Sequence, residues 1–403
     1  MTAIPRTAAT SARTGTSPFV SIIMPCLDEE QTIGKCVEDA RAGLAAAGAD
    51  GEVLVVDNGS TDGSAAAAAQ AGARVIVEPV RGKGRACATG FKAAAGEYLI
   101  LCDADGTYDL SQLRLVIDAL RDGSDMVVGN RFDGGISAGA MPWLHRHVGN
   151  PLISAFLRLA SGSQVRDSLS GLRGFTRGAL SEMGLEAGAF EIEAESVYKA
   201  GLLKLKVTEV PVAYHPRAVP SKLRSFEDGW AIASFVLVNA PHYLFTVTGA
   251  ALLFAGVFAI LSTYAFSSGV ALGSLRWQPL FLATIFLVSG SNAILLGVAA
   301  RAHAMTTGRI RDDKLVALYR RHLGLGRMLL AATASVLAGA VLDFLLFLSW
   351  VSEGSFDARL GTREASLAQC LIVIGVNLAF SCFLIEMLQR ENGGPISQPA
   401  HGQ

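Results

Sequence analysis

Charged side chains are scarce: 17% of the 403 residues are Asp, Glu, Lys or Arg, where ordinary soluble chains carry roughly a quarter. The shortfall is localised. Up to about Arg224 apolar and charged residues mix normally, and beyond it the chain turns strongly apolar. This predicts a soluble domain followed by a membrane domain, not one large globule. Cysteine is also sparse, with six residues and no Cys-x-x-Cys pair. That points away from a zinc site or a disulfide framework and toward reduced thiols. A net charge of −1 without a basic stripe argues against nucleic acid as a partner. An apolar leader core is missing too: residues 1–17 are rich in Thr, Ala, Ser and Arg and read as a disordered tail. Residues 391–403 read the same way.

What remains is organised. Short apolar runs at residues 19–24, 52–56, 74–77, 97–102 and 125–129 read as strands. They alternate with helical patterns at 31–47, 60–71, 83–95 and 111–121. The expectation is an α/β domain over residues 18–225 with a mostly parallel, doubly wound sheet. In such sheets ligands bind beyond the carboxyl ends of the strands. Asp28, Asp57 and Asp103 each follow a strand and should converge there.

Residues 242–390 carry four apolar segments, at about 242–266, 279–300, 328–350 and 367–388. Each is long enough to cross a hydrocarbon core of about 30 Å as a helix. The connection 301–327 holds Arg301, Arg309, Arg311, Lys314, Arg320, Arg321 and Arg327 against Asp312 and Asp313. Positive-inside logic therefore places this loop, the soluble domain and the C-terminus on the cytoplasmic side of the cell membrane. Residues 226–241 read as an interfacial helix before the first span. Within the spans Asp343 is a candidate functional residue, and Asn292 and Asn377 are candidate interhelical partners.

The motif with the sharpest chemistry is Asp103-Ala104-Asp105, at the end of an apolar strand. Two carboxylates one residue apart suit a hard divalent cation and a diphosphate, although Asp-x-Asp is also a common polar turn. Pro25-Cys26-Leu27-Asp28-Glu29-Glu30 closes the first strand and opens a helix; its carboxylates serve as helix caps or as acceptors for a base edge. In Asp57-Asn58-Gly59-Ser60-Thr61-Asp62 a strand ends in an acid and a glycine turn follows. Arg81-Gly82-Lys83-Gly84-Arg85 is a basic loop before a helix, suited to phosphate or simply solvated.

In order and spacing these motifs resemble the family 2 glycosyltransferases of GT-A fold. Val128 to Phe132, Asp167 to Arg173 and Phe190 to Glu195 narrow the likeness to the polyprenyl- and dolichol-phosphate hexose synthases, over about residues 19–245. The resemblance implies inverting transfer of a hexose from a nucleotide-sugar, UDP-glucose or GDP-mannose, to a polyprenyl phosphate. It implies that Pro25, Leu27, Asp28, Glu29, Asp57, Lys83, Asp103, Ala104 and Asp105 bind the nucleotide. Asp103 and Asp105 would also hold Mg²⁺ or Mn²⁺. Arg131, Arg173, Arg217 and Lys222 would meet the acceptor phosphate; either Arg131 or Arg173 could instead pair with Asp133 or Asp167. Many relatives carry Gln where this chain has Thr107, which leaves a third metal contact there in doubt. Residues 129–150 and 228–230 resemble proteins labelled as glucose synthases, a slight lean toward glucose. An ionised phosphate nucleophile needs no strong base. Two alternatives stay open: a polysaccharide synthase, whose Gln-x-x-Arg-Trp motif is not found, and a protein that also flips the lipid-sugar. Self-association is left open.

Overall fold

The computed structural model describes residues 19–186, 188–189, 191–218, 225–239, 242–265, 270–272, 275–277, 280–306, 313–353 and 358–390. The chain divides into two compact units, Met1–Val236 and Leu237–Gln403.

The first unit runs β1 (Val20–Cys26), α1 (Glu30–Ala46), β2 (Gly51–Asp57), α2 (Ser64–Gln70), β3 (Arg74–Val77), α3 (Lys83–Ala93), β4 (Tyr98–Leu101), α4 (Leu113–Arg121) and β5 (Met126–Asn130). It continues with α5 (Arg131–Gly134), α6 (Asn150–Ser161), β6 (Arg173–Thr176), α7 (Arg177–Met183), α8 (Ile192–Leu202), β7 (Val207–Pro211) and α9 (Ser225–Asn239). The seven strands form one sheet in the order β3-β2-β1-β4-β6-β5-β7. Strands β1 to β4 are mutually parallel, but β6 runs antiparallel between β4 and β5. The sheet is thus mixed. Sequence patterning finds the first five strands within one or two residues and misses β6 and β7. The four residues Arg173-Gly174-Phe175-Thr176 are too short and too polar to show strand alternation.

Alternation of side chains places one core on each sheet face. Ile22, Met24, Val53 and Val55 pack with α1 and α4 on one side. Ile23, Leu54, Val56 and Leu99 pack with α3 and α8 on the other. Helix α3 comes in unusually close at Gly90, where a Cβ would collide with Ile23 Cγ2 and lie 3.1 Å from Val56 Cγ2. That approach brings the N-terminus of α3, with Lys83, toward the end of β4.

The second unit holds α10 (Thr248–Ala265), a small hairpin of β8 (Val270–Leu272) and β9 (Leu275–Trp277), α11 (Leu280–Thr306), α12 (Lys314–Leu318), α13 (Gly324–Glu353) and α14 (Ala358–Arg390). Among the described residues four helical stretches, His242–Thr263, Leu280–Thr306, Lys314–Ser352 and Arg363–Gln389, are long and apolar enough to cross a membrane. Helices α10 and α11 meet at small residues: a Cβ on Gly290 would sit 2.7 Å from Leu253 N and 2.8 Å from Gly249 O. Such sites let backbones approach where no water drives association. Arg301 pairs with Asp313 at 3.0 Å, tying α11 to the residue that caps α12. Asp343 is half-buried on α13.

Replacement Gly90→Ala is expected to overpack α3 against β1 and β2 and cost about 1–3 kcal/mol. The lowered midpoint should be visible in thermal unfolding of the detergent-solubilised chain; an unchanged midpoint would show that the helix can shift outward at no cost.

Candidate active site

The ends of β1, β2 and β4 supply the acidic residues, and hydrogen bonds lock the three ends together. Asp28 adopts φ +49°, a conformation uncommon for a side-chain-bearing residue. Its Oδ1 accepts from Thr61 N at 2.6 Å, while Ser60 Oγ accepts from Asp28 N at 2.9 Å. Asp57 Oδ1 accepts from Ser60 N at 3.2 Å, and Ser64 Oγ accepts from Glu29 N at 2.8 Å. The loop carrying Asp28 and Glu29 is thereby tied to the turn that follows Asp57. Pro25 and Leu27 flank it, and the Ala104 carbonyl accepts from Thr32 Oγ1 at 2.9 Å, drawing the β4 end onto α1.

Asn58 has a role that sequence reading missed. Its Nδ2 donates to the carbonyls of Glu78 (3.0 Å) and Val80 (2.8 Å), and its Oδ1 accepts from Gly82 N (2.7 Å). One buried amide thus folds the loop after β3 and sets Gly82, at φ +144°, just before Lys83. An Asn directly after a strand-ending Asp was the available signal.

Lys83 Nζ lies 2.7 Å from Asp103 Oδ1 and 2.6 Å from Glu193 Oε1. Glu193, on α8, was quoted in the sequence only as part of a motif. Burial alone would lower the Lys83 pKa, yet Asp103 and Glu193 raise it well above the usual lysine value. Burial likewise works to raise the Asp103 pKa, and Lys83, with Arg217 and Arg131 behind it, holds the carboxyl below its ordinary range. Both groups are charged at neutral pH.

Asp105 is 3% exposed. Its Oδ1 accepts from Thr107 N (3.0 Å) and Thr107 Oγ1 (2.6 Å). The hydroxyl at Thr107 is thus a support for Asp105. Its Oδ2 accepts from Arg217 Nε at 2.7 Å and also from Arg217 Nη2. Main-chain pairing of His215 N with Thr107 O at 2.8 Å brings the Arg217 segment alongside.

Arg131 and Arg173 are both buried. Asp167, fully buried, accepts from Arg131 Nε (2.8 Å), Nη2 (2.7 Å) and main-chain N (2.9 Å). The Arg131–Asp167 pairing weighed in the sequence is therefore present, and the guanidinium also lies 5.1 Å from the Tyr214 ring centre. Arg173 pairs with neither Asp133 nor Asp167. Its Nε donates to Ser170 O (2.8 Å), Nη1 to Glu193 O (2.7 Å) and Ser196 Oγ, and Nη2 to Ser168 O. Burial lowers its pKa from the usual value. Lys222 and Phe190 lie outside the described residues.

These residues form a cluster of alternating charge beyond the carboxyl end of β4. Asp103 and Asp105 offer hard oxygen donors, which fit a Mg²⁺-like ion that takes one or two carboxylates and completes its shell with water and phosphate oxygens. No group of three His, Cys, Asp or Glu side chains suited to a metal occurs among the described residues. Burial pushes the Cys26 thiol up to about 11 and the Cys36 thiol up to about 12, which disfavours the reactive thiolate at both.

Residues 21–184 match the family described as Glycosyl transferase family 2, and residues 298–389 match the Glycosyltransferase family 2 C-terminal transmembrane region. The chain is similar to the low-salt glycan biosynthesis hexosyltransferase Agl6 of Haloferax volcanii, at 34% identity over 94% of this chain and 91% of that protein. It is similar to a dolichyl-phosphate hexose transferase of the same organism, at 32% identity over 54% of this chain and 92% of that one. A solved structure of glucosyl-3-phosphoglycerate synthase from Mycobacterium tuberculosis in complex with Mn²⁺, uridine-diphosphate and glucosyl-3-phosphoglycerate covers 55% of this chain and 80% of its own, at 24% identity and a TM-score of 0.43.

Asp167→Asn leaves the Arg131 charge buried with a weakened partner and is expected to cost about 3–5 kcal/mol. Replacing both, Arg131→Met with Asp167→Leu, should recover most of the lost thermal stability. A double variant no more stable than the single one would contradict this account of the pair.

Proposed function

The chain belongs to glycosyltransferase family 2, with a GT-A domain ahead of a four-helix membrane region, and from that premise we propose that it transfers a hexose from a nucleotide-sugar to a polyprenyl phosphate, with inversion at the anomeric carbon. The observation that carries the proposal is the pairing of Lys83 with Asp103 and of Arg217 with Asp105 at the end of β4. Two carboxylates and two phosphate-binding cations on one strand end suit a nucleoside diphosphate. The relative named as a dolichyl-phosphate hexose transferase supports a lipid phosphate as acceptor.

Asp28, Glu29 and Asp57 receive donors of the base and ribose where the loops after β1 and β2 are tied together. Asp103 and Asp105 hold Mg²⁺ or Mn²⁺, which neutralises the departing diphosphate when bound. Lys83 and Arg217 exchange a carboxylate oxygen for a phosphate oxygen as the donor enters, so the site stays near charge balance. Lys222, in the same basic segment as Arg217, adds charge for the acceptor phosphate. Arg131 acts on that phosphate through the positive field it retains beside Asp167. Arg173 supports the Ser168–Ser170 turn and the Glu193 main chain, because its guanidinium donates to Ser168 O, Ser170 O, Glu193 O and Ser196 Oγ. The acceptor, a phosphate monoester with a second pKa of about 6, arrives largely ionised. Positioning replaces a strong general base. The excess of basic residues in the 301–327 connection supports the cytoplasmic face as the side of this chemistry.

The test is to incubate membranes containing the chain with polyprenyl phosphate and a panel of labelled nucleotide-sugars. Organic-extractable label from one hexose donor, absent with Arg217→Ala and after chelation of divalent ions, is the expected result. No extractable label from any donor would overturn the proposal.

A further inference from the structure

The loop that joins α6 to β6 presses on the strand end that carries Asp103. Gly171 is buried in that loop, and a Cβ there would collide with Asp103 Oδ2 and lie 2.7 Å from Asp103 Cγ. The Asp103 carboxyl is thus held from two sides. Lys83 Nζ lies 2.7 Å from Oδ1, and the Gly171 main chain backs Oδ2. The loop itself is anchored on either side of this contact: Ser170 O accepts from Arg173 Nε at 2.8 Å and Leu172 O from Gly129 N at 2.9 Å.

What seats Gly171 is Tyr108. The phenol oxygen accepts from Gly171 N at 2.7 Å and lies 3.3 Å from Ser170 Oγ. Tyr108, Ser170 and Gly171 are all buried, so the hydroxyl satisfies a main-chain donor removed from solvent. The ring meets the Tyr214 ring edge-on, with 5.3 Å between centres, and the two main chains form a bridge. That packing needs only a phenylalanine; the hydroxyl serves the Gly171 N–H. Tyr108 follows Thr107, whose hydroxyl donates to Asp105. Two adjacent side chains after the Asp-x-Asp motif therefore support its two acids, one directly and one through Gly171.

We propose that Tyr108 is a positioning residue for the transfer reaction: by holding Gly171 against Asp103 Oδ2, it fixes the direction in which that carboxylate offers its oxygens to a divalent ion. Groups behind a metal ligand orient it, and their loss weakens metal affinity by about 10- to 100-fold. The inference rests on the metal and diphosphate reading of Asp103 and adds to it the side chain that aims the ligand.

The experiment titrates UDP and GDP into the purified full chain by calorimetry, without Mn²⁺ and over a series of Mn²⁺ concentrations. Tyr108→Phe keeps the ring and removes the hydroxyl. It should raise the Mn²⁺ concentration that half-maximally enhances nucleotide binding by about tenfold, while nucleotide affinity without Mn²⁺ stays as in the unaltered chain. Gly171→Ala places a methyl group against Asp103 Oδ2 and should raise the Mn²⁺ requirement further; if that variant does not fold, Tyr108→Phe decides alone. An unchanged Mn²⁺ requirement in Tyr108→Phe would overturn the proposal. So would an equal loss of binding with and without Mn²⁺, which is what a merely structural role gives. If Mn²⁺ enhances neither nucleotide in the unaltered chain, the metal reading of Asp103 falls first, and this inference with it.

Discussion

The Lys83 ammonium, held between Asp103 and Glu193, is the contact on which the catalytic unit depends. It joins three places that the chain visits separately: the N-terminus of α3, the end of β4 and the first turn of α8. Burying one cation against two carboxylates is costly unless each is tightly partnered. The surrounding structure supplies those partners. Asn58 shapes the loop that delivers Lys83, and Gly90 lets α3 lie flat against β1 and β2. Arg173 anchors the main chain at Glu193. Arg217 on Asp105 repeats the arrangement two residues along. The same features that make the cluster stable make it receptive. Under the proposed function a diphosphate would offer Lys83 and Arg217 the oxygens that Asp103 and Asp105 now provide, leaving the carboxylates to a divalent ion.

A second constraint comes from the membrane. Under the proposed function the acceptor phosphate would be carried by a lipid and so confined to the headgroup layer. The four long apolar stretches of the second unit fix the chain in a bilayer by composition and length. A buried arginine pair serves rigidity in the catalytic unit: Arg131, clamped by three bonds to Asp167, and Arg173, clamped by carbonyls, leave the loops around residues 167–173 little freedom.

Much of this was legible in the residues themselves. Short continuous apolar runs alternating with helical spacings revealed β1 to β5, and unbroken apolar length revealed the four spans. The Asp-x-Asp at a strand end and the acids after β1 and β2 pointed to a common crevice. Other parts were hidden for physical reasons. Strand β6 owes its place to pairing with β4 and β5, a long-range effect that a polar four-residue run does not advertise. Glu193 and Asn58 matter through partners far along the chain. Thr107, a departure from the relatives' pattern, supports Asp105 through its hydroxyl. The roles of Arg131 and Arg173 turned on which oxygens surround them, and no spacing in the sequence says that.

The central claim is that Asp103 and Asp105 accept a divalent ion together with a nucleoside diphosphate while Lys83 and Arg217 transfer to the phosphates. Calorimetric titration of UDP and of GDP into the purified full chain, with and without Mn²⁺, tests it directly. The account predicts that one nucleotide binds in a metal-dependent manner and that Asp103→Asn abolishes the metal dependence. Equal binding with and without Mn²⁺, unchanged in Asp103→Asn, would contradict it.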